Sequence, residues 1–223
     1  KIDRLLNNLT RVDLGSSIFN EYSNRSNLFL LTNGDIEEWL KGLLSTTRLI
    51  VEPKICGCAI AMLYEGGILK KAININGVDK TDKIKHIENV PKSIPIRKAL
   101  QVRGELYGRD VSPASSQRLA KEYLRGKVDK RNGLNFISFQ IINSDLNHYQ
   151  SLKALEMLGF EIPQSEFTHY TNEAYFYFRL WKESNLFCEY PTDGIVLKVN
   201  SRKFQKQLGK TDISLSWAYC MEI

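Results

Sequence analysis

The segment Val51-Glu52-Pro53-Lys54-Ile55-Cys56-Gly57 decides how the rest of this sequence is interpreted. Lys54 follows a run of apolar and β-branched residues and stands three positions before Gly57, so it is predicted at the end of an apolar strand. A single lysine in this position is most often a surface residue. It can act as a nucleophile only when its amine is neutral, and partial burial or nearby positive charge would lower its pKa from about 10.4.

Two further motifs follow at long intervals, Arg103-Gly104-Glu105 and Asp193-Gly194-Ile195-Val196-Leu197-Lys198. Strand alternation predicts that Arg103 and Glu105 share one face. It also predicts Lys198 on the same face as Gly194, with Asp193 on the opposite face. Each motif alone would fit a surface ion pair or a surface lysine, so their value lies in the ordered set of three.

Composition limits the protein class. The chain has 223 residues, 43% of them hydrophobic and 25% charged, which is typical of a globular protein with one large or two small domains. The net charge of +6 weakly favours a polyanionic partner. No apolar run approaches the roughly 20 residues of a membrane span, and no signal core begins the sequence. Four cysteines without C-x2-C spacing predict reduced thiols and no metal site. We therefore expect a cytoplasmic protein.

The hydrophobic pattern predicts an α+β fold built on antiparallel sheets. The predicted strands are 48–54, 58–64, 68–75, 100–107, 136–142, 194–199 and 217–223. The predicted helices are 36–44, 81–88, 115–124, 151–158, 172–183 and 202–208, with another near 2–9. We predict an N-terminal polar segment over residues 1–34 and a single domain over residues 35–223.

Together the three motifs resemble the motif set of the covalent nucleotidyltransferases, which are the DNA and RNA ligases and the capping enzymes. The Asp-Gly that opens the third motif is similar to the NAD-dependent DNA ligases, whereas the ATP-dependent ligases usually carry Glu-Gly there. The resemblance extends from about residue 48 to 223. It implies an ATP-grasp-like nucleotidyltransferase fold, with antiparallel sheets flanked by helices around a nucleotide cleft.

The resemblance also implies roles for individual residues. Lys54 would attack NAD and become adenylylated. The nucleotide contacts would be Glu52 at the adenine edge, Phe139 stacked on adenine, Arg103 and Glu105 at the ribose, and Lys198 at the AMP phosphate.

The implied function is that of an NAD-dependent DNA ligase adenylation domain acting as a monomer. AMP on the lysine would pass to a 5′-phosphate at a nick in double-stranded DNA, and a 3′-hydroxyl would then displace it, with Mg2+ neutralising phosphate charge. Arg118 and Arg125, seven residues apart on one predicted helix face, would hold phosphates of the nicked strand.

The sequence departs from the family pattern at three positions. The lysine motif is normally Lys-x-Asp-Gly, but Cys56 replaces the aspartate. Asn74 stands where an arginine is frequent. The last motif normally ends in a lysine, and counting from Trp217 places Glu222 there. We expect Cys56→Asp to increase adenylylation.

Two alternative functions stay open. Cys56 and Glu222 favour a catalytically impaired nucleic-acid-binding homologue that keeps the ligase fold. An ATP-using polynucleotide ligase is the other alternative, and Asp193 argues against it.

The flanks add an expectation about domain content. The family places a small nicotinamide-nucleotide-binding domain first, and residues 1–34 show no clear version of it. An oligonucleotide-binding barrel, a zinc finger and helix-hairpin-helix repeats follow in the family and are not found in this sequence. We therefore expect an isolated adenylation domain or a minimal homologue.

Overall fold

The computed structural model describes residues 31–32, 35–129, 131, 133–142, 144–209 and 215–223. The helix predicted near residues 2–9 lies outside the described residues. Within them, no helix has the length and apolar content to span a membrane.

The strands and helices follow the predicted order. The strands are β1 (Leu31–Thr32), β2 (Leu49–Ile55), β3 (Cys58–Glu65), β4 (Ile68–Asn74), β5 (Leu100–Gly108), β6 (Leu134–Ile141), β7 (Glu166–Phe167), β8 (Thr192–Val199) and β9 (Leu215–Glu222). The helices are α1 (Ile36–Lys41), α2 (Thr81–Ile84), α3 (Pro113–Leu124), α4 (His148–Met157), α5 (Glu173–Lys182) and α6 (Arg202–Leu208).

Differences from the predicted elements are confined to short segments and ends. Helix α2 has four residues where eight were predicted, and α1 ends three residues early. The strands β1 and β7 were not predicted, because two residues carry no detectable alternation. Gly66 and Gly67 form the predicted hairpin turn with positive φ angles of 59° and 84°.

The strands form two sheets. A five-stranded sheet has the order β1-β9-β8-β2-β7, and a four-stranded sheet has the order β4-β3-β5-β6. The pairs are antiparallel, as predicted, except that β1 runs parallel to β9. Strand β1 belongs to the segment 1–34 that we expected to lie before the domain, so its pairing extends the five-stranded sheet into that segment.

Each sheet covers a hydrophobic core of its own. The four-stranded sheet packs Ile60, Met62 and Leu106 against α3 and α4. The five-stranded sheet packs a second core, which includes Leu49, Val51, Ile195, Leu197 and Trp217. Alternate residues of β2 and β8 are therefore used by this core, and the residues between them face the opposite side of the sheet.

Two helices are fixed next to that opposite side. The Ser112 side chain caps α3, and Pro113 occupies the first turn. Ser116 in α3 donates a hydrogen bond to the carbonyl of Cys56 and accepts one from the backbone N–H of Gly108 at 2.9 Å. A capping box between Asn147 and Gln150 begins α4.

Candidate active site

A cleft of about 510 Å³ lies between the two sheets. Its walls come from β2, β8 and β9 of one sheet and from β3, β5 and β6 of the other, with α3 at one rim. It brings together all the residues that the sequence predicted at the nucleotide or at the covalent bond to AMP: Glu52, Lys54, Arg103, Glu105, Phe139 and Lys198.

One end of the cleft holds a buried charge cluster. The Glu52 carboxylate accepts hydrogen bonds from His148 Nε2 and, at 2.5 Å, from Lys198 Nζ. Lys198 Nζ also lies 4.8 Å from the centre of the Phe139 ring. We call Glu52, Lys198 and Phe139 the buried end of the cleft, with His148 behind it.

The ionisation of this cluster follows from its contacts. Burial alone would raise the pKa of Glu52, but the charges of Lys198 and His148 and their hydrogen bonds outweigh it and lower the pKa to about 2. Burial lowers the pKa of His148, although Glu52 acts in the opposite direction. The sequence did not reveal His148 as a partner, because 96 residues separate it from Glu52.

Lys54 also lines the cleft, two residues after Glu52 on β2. Its Nζ lies 2.7 Å from Asp193 Oδ1 and 2.8 Å from Glu222 Oε2. Burial favours the neutral amine, but the hydrogen bonds to Asp193 and Glu222 outweigh it and raise the pKa of Lys54 above its usual range. The amine is therefore protonated at neutral pH, and the lowered pKa that a nucleophilic lysine requires is not found in this structure. The groups that contact the amine are carboxylates.

Asp193 is also placed differently from the prediction. Alternation put it on the side of Ile195 and Leu197, which are buried in the core. Its carboxylate instead lines the cleft beside Lys54. The pairing of β2 with β8 shifts register between Pro53 and Ile55, and this irregularity ends the simple alternation at that point.

Cys56 and Gly57, which follow Lys54 in the chain, also line the cleft. Burial, with the negative charge of Asp193, raises the pKa of the Cys56 thiol to about 12, so the thiol is neutral near pH 7. A Cβ on Gly57 would lie 2.2 Å from the Leu106 carbonyl oxygen, so the glycine lets strand β5 approach closely.

Arg103 and Glu105 project from β5 into the cleft, as the alternation predicted. Arg103 is buried, and its Nη1 donates a hydrogen bond to Gln140 Oε1 at 3.2 Å. Burial raises the pKa of Glu105 to about 8, while Lys54 and a hydrogen bond from the Gly57 N–H act against it. Glu105 therefore brings a carboxyl group that is mostly protonated at neutral pH.

Helix α3 contributes basic residues to the rim of the cleft. Arg125, its C-cap residue, lines the cleft, whereas Arg118 is exposed on α3 outside the lining. Lys80 and Lys121 also line the cleft and were not predicted. We call Lys80, Lys121 and Arg125 the basic rim. The sequence offered no signal for Lys80, because it lies in a connection between β4 and α2.

Asn74, which replaces an arginine of the family pattern, also lines the cleft. Its side-chain oxygen accepts hydrogen bonds from the backbone N–H groups of Asn76 at 3.1 Å and Val78 at 2.9 Å. Asn74 thus closes the turn after β4.

The residues that could hold a metal ion are few. Across the described ranges, no group of three or more His, Cys, Asp or Glu side chains is placed to bind one. A Mg2+ ion usually keeps several waters and takes one or two carboxylates together with substrate phosphates. A Mg2+ ion in this cleft would therefore depend mainly on nucleotide phosphates.

Solved structures with the same fold include two DNA ligases. The ATP-dependent DNA ligase of bacteriophage T7 has a TM-score of 0.51 and 12% identity, over 86% of this chain and 67% of that one. One of the Lig E DNA ligases has a TM-score of 0.52 and 14% identity, over 87% of this chain and 67% of that one. At these identities the likeness shows the fold, and it confirms the predicted nucleotidyltransferase fold.

Sequence relatives and a family model define the family more narrowly. The DNA ligase of Anoxybacillus flavithermus is 26% identical over 234 residues, covering 90% of this chain and 35% of the relative. That of Fervidobacterium nodosum is 28% identical over 211 residues, covering 82% and 31%. The chain thus spans about a third of the length of these curated relatives. The family model for the NAD-dependent DNA ligase adenylation domain matches residues 32–125 and 121–222, and the chain therefore belongs to this family.

Proposed function

We propose that this chain forms a covalent lysine–AMP from NAD and transfers the AMP to a 5′-phosphate at a nick in double-stranded DNA. The observation that carries the proposal is the position of Lys54 in a cleft whose buried end holds a carboxylate, a cation and an aromatic ring. A nucleoside fits between such groups, because a base can stack on a ring while its edge forms hydrogen bonds.

The arrangement supports contacts of different cleft residues with different parts of the nucleotide. Adenine would stack on Phe139 with its edge towards Glu52, and Arg103 and Glu105 would contact the ribose. We expected Lys198 at the AMP phosphate. Its contacts with Glu52 and Phe139 support a position at the adenine edge instead, because Glu52 and Phe139 are the residues that we propose contact adenine.

Lys54 would carry out the chemical step. Its Nζ would attack the α-phosphorus of NAD, and the bond from that phosphorus to the oxygen of nicotinamide mononucleotide would break. The product is a phosphoramidate. A bound Mg2+ would neutralise phosphate charge, and no step here depends on protein ligands for it.

The basic rim supports a contact with the phosphates of DNA that is independent of sequence. Arg125 would contribute from inside the cleft and Arg118 from the exposed face of α3. A monomer in the cytoplasm remains our expectation.

The test is covalent labelling. The protein is incubated with Mg2+ and radiolabelled NAD or ATP, and the product is separated on a denaturing gel. A labelled band from NAD supports the proposal, and labelling by ATP alone contradicts it. Because the resemblance implies that a preceding domain holds the nicotinamide nucleotide, reaction with NAD can be slow. The reverse reaction, loss of AMP from pre-adenylylated protein on addition of nicotinamide mononucleotide, is then the second test.

A second candidate function is a homologue that binds nicked DNA without forming lysine–AMP. The neutral thiol of Cys56 and the carboxylate of Glu222 against Lys54 favour it. Binding of nicked DNA without labelling in either direction would support this candidate.

A further inference from the structure

The Lys54 amine is clamped by two carboxylates on neighbouring strands. Asp193 lies in β8 and Glu222 in β9, and the pairing of Gly194 with Glu222 fixes these strands side by side. A Cβ on Gly194 would lie 2.2 Å from the Met221 carbonyl oxygen, so the strands approach closely at this point. Glu222 is therefore held next to Lys54 by the sheet itself.

Other titratable groups also face Lys54, from three elements. They are Cys56 after β2, Glu105 in β5 and Cys220 in β9. Burial raises the pKa of both thiols to about 12 and that of Glu105 to about 8. Near pH 7 these three groups are largely neutral. The negative charge that faces the Lys54 amine therefore comes mainly from the Asp193 and Glu222 carboxylates.

Glu222 is not required to hold the fold together. Its side chain is 41% exposed, and exposed ion pairs contribute at most about 1 kcal/mol to stability. Its hydrogen bond with Lys54 lowers the pKa of Glu222, so the group stays ionised through the neutral range. The chain thus keeps a charged carboxylate at the point where an anionic α-phosphate must meet the amine.

We propose that Glu222 is a restraining contact on the nucleophile: it keeps Lys54 in a closed ion pair and repels the incoming phosphate, so that removing its charge speeds formation of lysine–AMP. The inference rests on the proposed function, and it adds a residue that slows the first step. The family pattern has a lysine at this position, which would have the opposite effect on a phosphate.

The balance of the step shows where Glu222 acts. One proton leaves the Lys54 ammonium for solvent, and the nitrogen lone pair then forms the N–P bond. The P–O bond to nicotinamide mononucleotide breaks, and its electron pair stays on the leaving phosphate oxygen. A second proton leaves the nitrogen for solvent. Glu222 opposes the first proton loss and also the approach of the phosphate. Both effects lower the rate of lysine–AMP formation.

The first experiment measures lysine–AMP formation by intact mass across pH 6 to 9.5. The variants are Glu222→Gln, which removes the charge at nearly constant shape, and Glu156→Gln. The latter is the matched control because Glu156 forms a surface pair with Lys153 at 2.8 Å, in which the side chains of Lys153 and Glu156 are 42% and 53% exposed. We expect Glu222→Gln to react at least about tenfold faster at pH 7.5, because lowering the pKa of Lys54 by one unit raises the fraction of neutral amine about tenfold. The pH profile of the rate should also shift to lower pH. Glu156→Gln should match the parent protein.

The second experiment does not depend on turnover. Competitive acetylation by acetic anhydride, followed by peptide mapping, gives the pH dependence of Lys54 reactivity relative to Lys206, an exposed lysine whose partner Asp145 is unchanged in both variants. We expect Lys54 to be protected in the parent protein and released in Glu222→Gln by the same tenfold or more. Glu156→Gln should leave Lys54 protected.

The outcomes separate the two claims. If no variant forms lysine–AMP but acetylation of Lys54 increases in Glu222→Gln, the proposed function fails and the restraint by Glu222 stands. If lysine–AMP forms, but Glu222→Gln is equal to or slower than the parent protein, the inference is overturned while the function stands. Unchanged acetylation of Lys54 also overturns the inference.

Discussion

Lys198 Nζ donates a hydrogen bond to the Glu52 carboxylate at 2.5 Å across strands β8 and β2, and the two side chains are 8% and 3% exposed. They form a buried ion pair at the buried end of the cleft, and His148 contacts the second oxygen of the same carboxylate. A buried charge that loses its partner is costly, because the remaining charge has neither water nor a counter-ion.

Lys198→Met should therefore lower the free energy of unfolding by about 3 kcal/mol or more. The measurement is urea unfolding at pH 7. The matched control is Lys206→Met, which breaks the pair of Lys206 with Asp145, where both side chains are more than half exposed. That change should cost less than about 1 kcal/mol. Equal losses in the two variants would show that the buried pair contributes no more than a surface pair.

The same pair predicts an acid dependence of stability. The pKa of Glu52 is lowered from 4.5 to about 2, so its stabilising contribution is complete above about pH 4.5 and is lost as the pH falls towards 2. Urea unfolding between pH 5 and pH 2 should show a smaller loss for Glu52→Gln than for the parent protein. Parallel curves would contradict the lowered pKa.

The identity of the nucleophile gives the next prediction. Lys54→Arg keeps the positive charge between Asp193 and Glu222 but removes an amine that can lose a proton. It should abolish lysine–AMP while nucleotide binding persists. Intact mass after incubation with NAD and Mg2+ measures the first, and fluorescence titration with an adenine nucleotide measures the second. Lys206→Arg, on the surface, serves as the control, and AMP mapped to any residue other than Lys54 would refute the assignment.

Much of this site was predictable because side chains alternate regularly along most of β2, β5 and β8. In β2 and β8 the core takes Val51, Ile195 and Leu197, so Glu52 and Lys198 must face the other side. The positions of Arg103 and Glu105 in β5 follow by the same argument. A pattern of period two in the sequence therefore gives the face of a side chain wherever the strand pairing is regular, even when motifs are far apart.

The partners across the cleft were not predictable in the same way. His148 reaches Glu52 because α4 begins there, and no local pattern shows this. Glu222 was found only by counting from Trp217, and nothing in the sequence indicates that it touches Lys54. Asp193 was assigned to the wrong face, because a register irregularity is set by tertiary pairing. Contacts between elements decide ionisation, so the pKa of Lys54 was the least predictable property of the site.

Helix α3 gives a prediction about DNA. Arg125 and Arg118 should each neutralise one phosphate of nicked duplex DNA, so each change to alanine should weaken binding and reduce the slope of log K against log salt by about 1. Fluorescence anisotropy at several salt concentrations measures both quantities. Arg179→Ala is the control, since Arg179 is an exposed arginine on α5 that lies against Phe176. If Arg179→Ala changes the slope as much as the α3 variants, α3 is not the DNA contact.

The residues at positions 56 and 222 both act on Lys54. We expected Cys56→Asp alone to increase adenylylation. The structure argues against a simple gain, because Asp193 and Glu222 already hold Lys54 and a third carboxylate would hold its proton more tightly. The double variant Cys56→Asp with Glu222→Lys restores the family's charges and keeps two carboxylates near the amine.

We expect this double variant to form lysine–AMP about a hundredfold faster than the parent protein, because a cation at position 222 attracts the phosphate that Glu222 repels. Cys56→Asp alone should be equal to or slower than the parent protein. The measurement is single-turnover formation of lysine–AMP, followed by intact mass at pH 7.5. It compares the parent protein, Cys56→Asp, Glu222→Lys and the double variant. If Cys56→Asp alone gives the full gain and Glu222→Lys adds nothing, then the charge at position 222 is irrelevant to the nucleophile. The missing carboxylate at position 56 would then be the main reason why the parent protein forms lysine–AMP slowly.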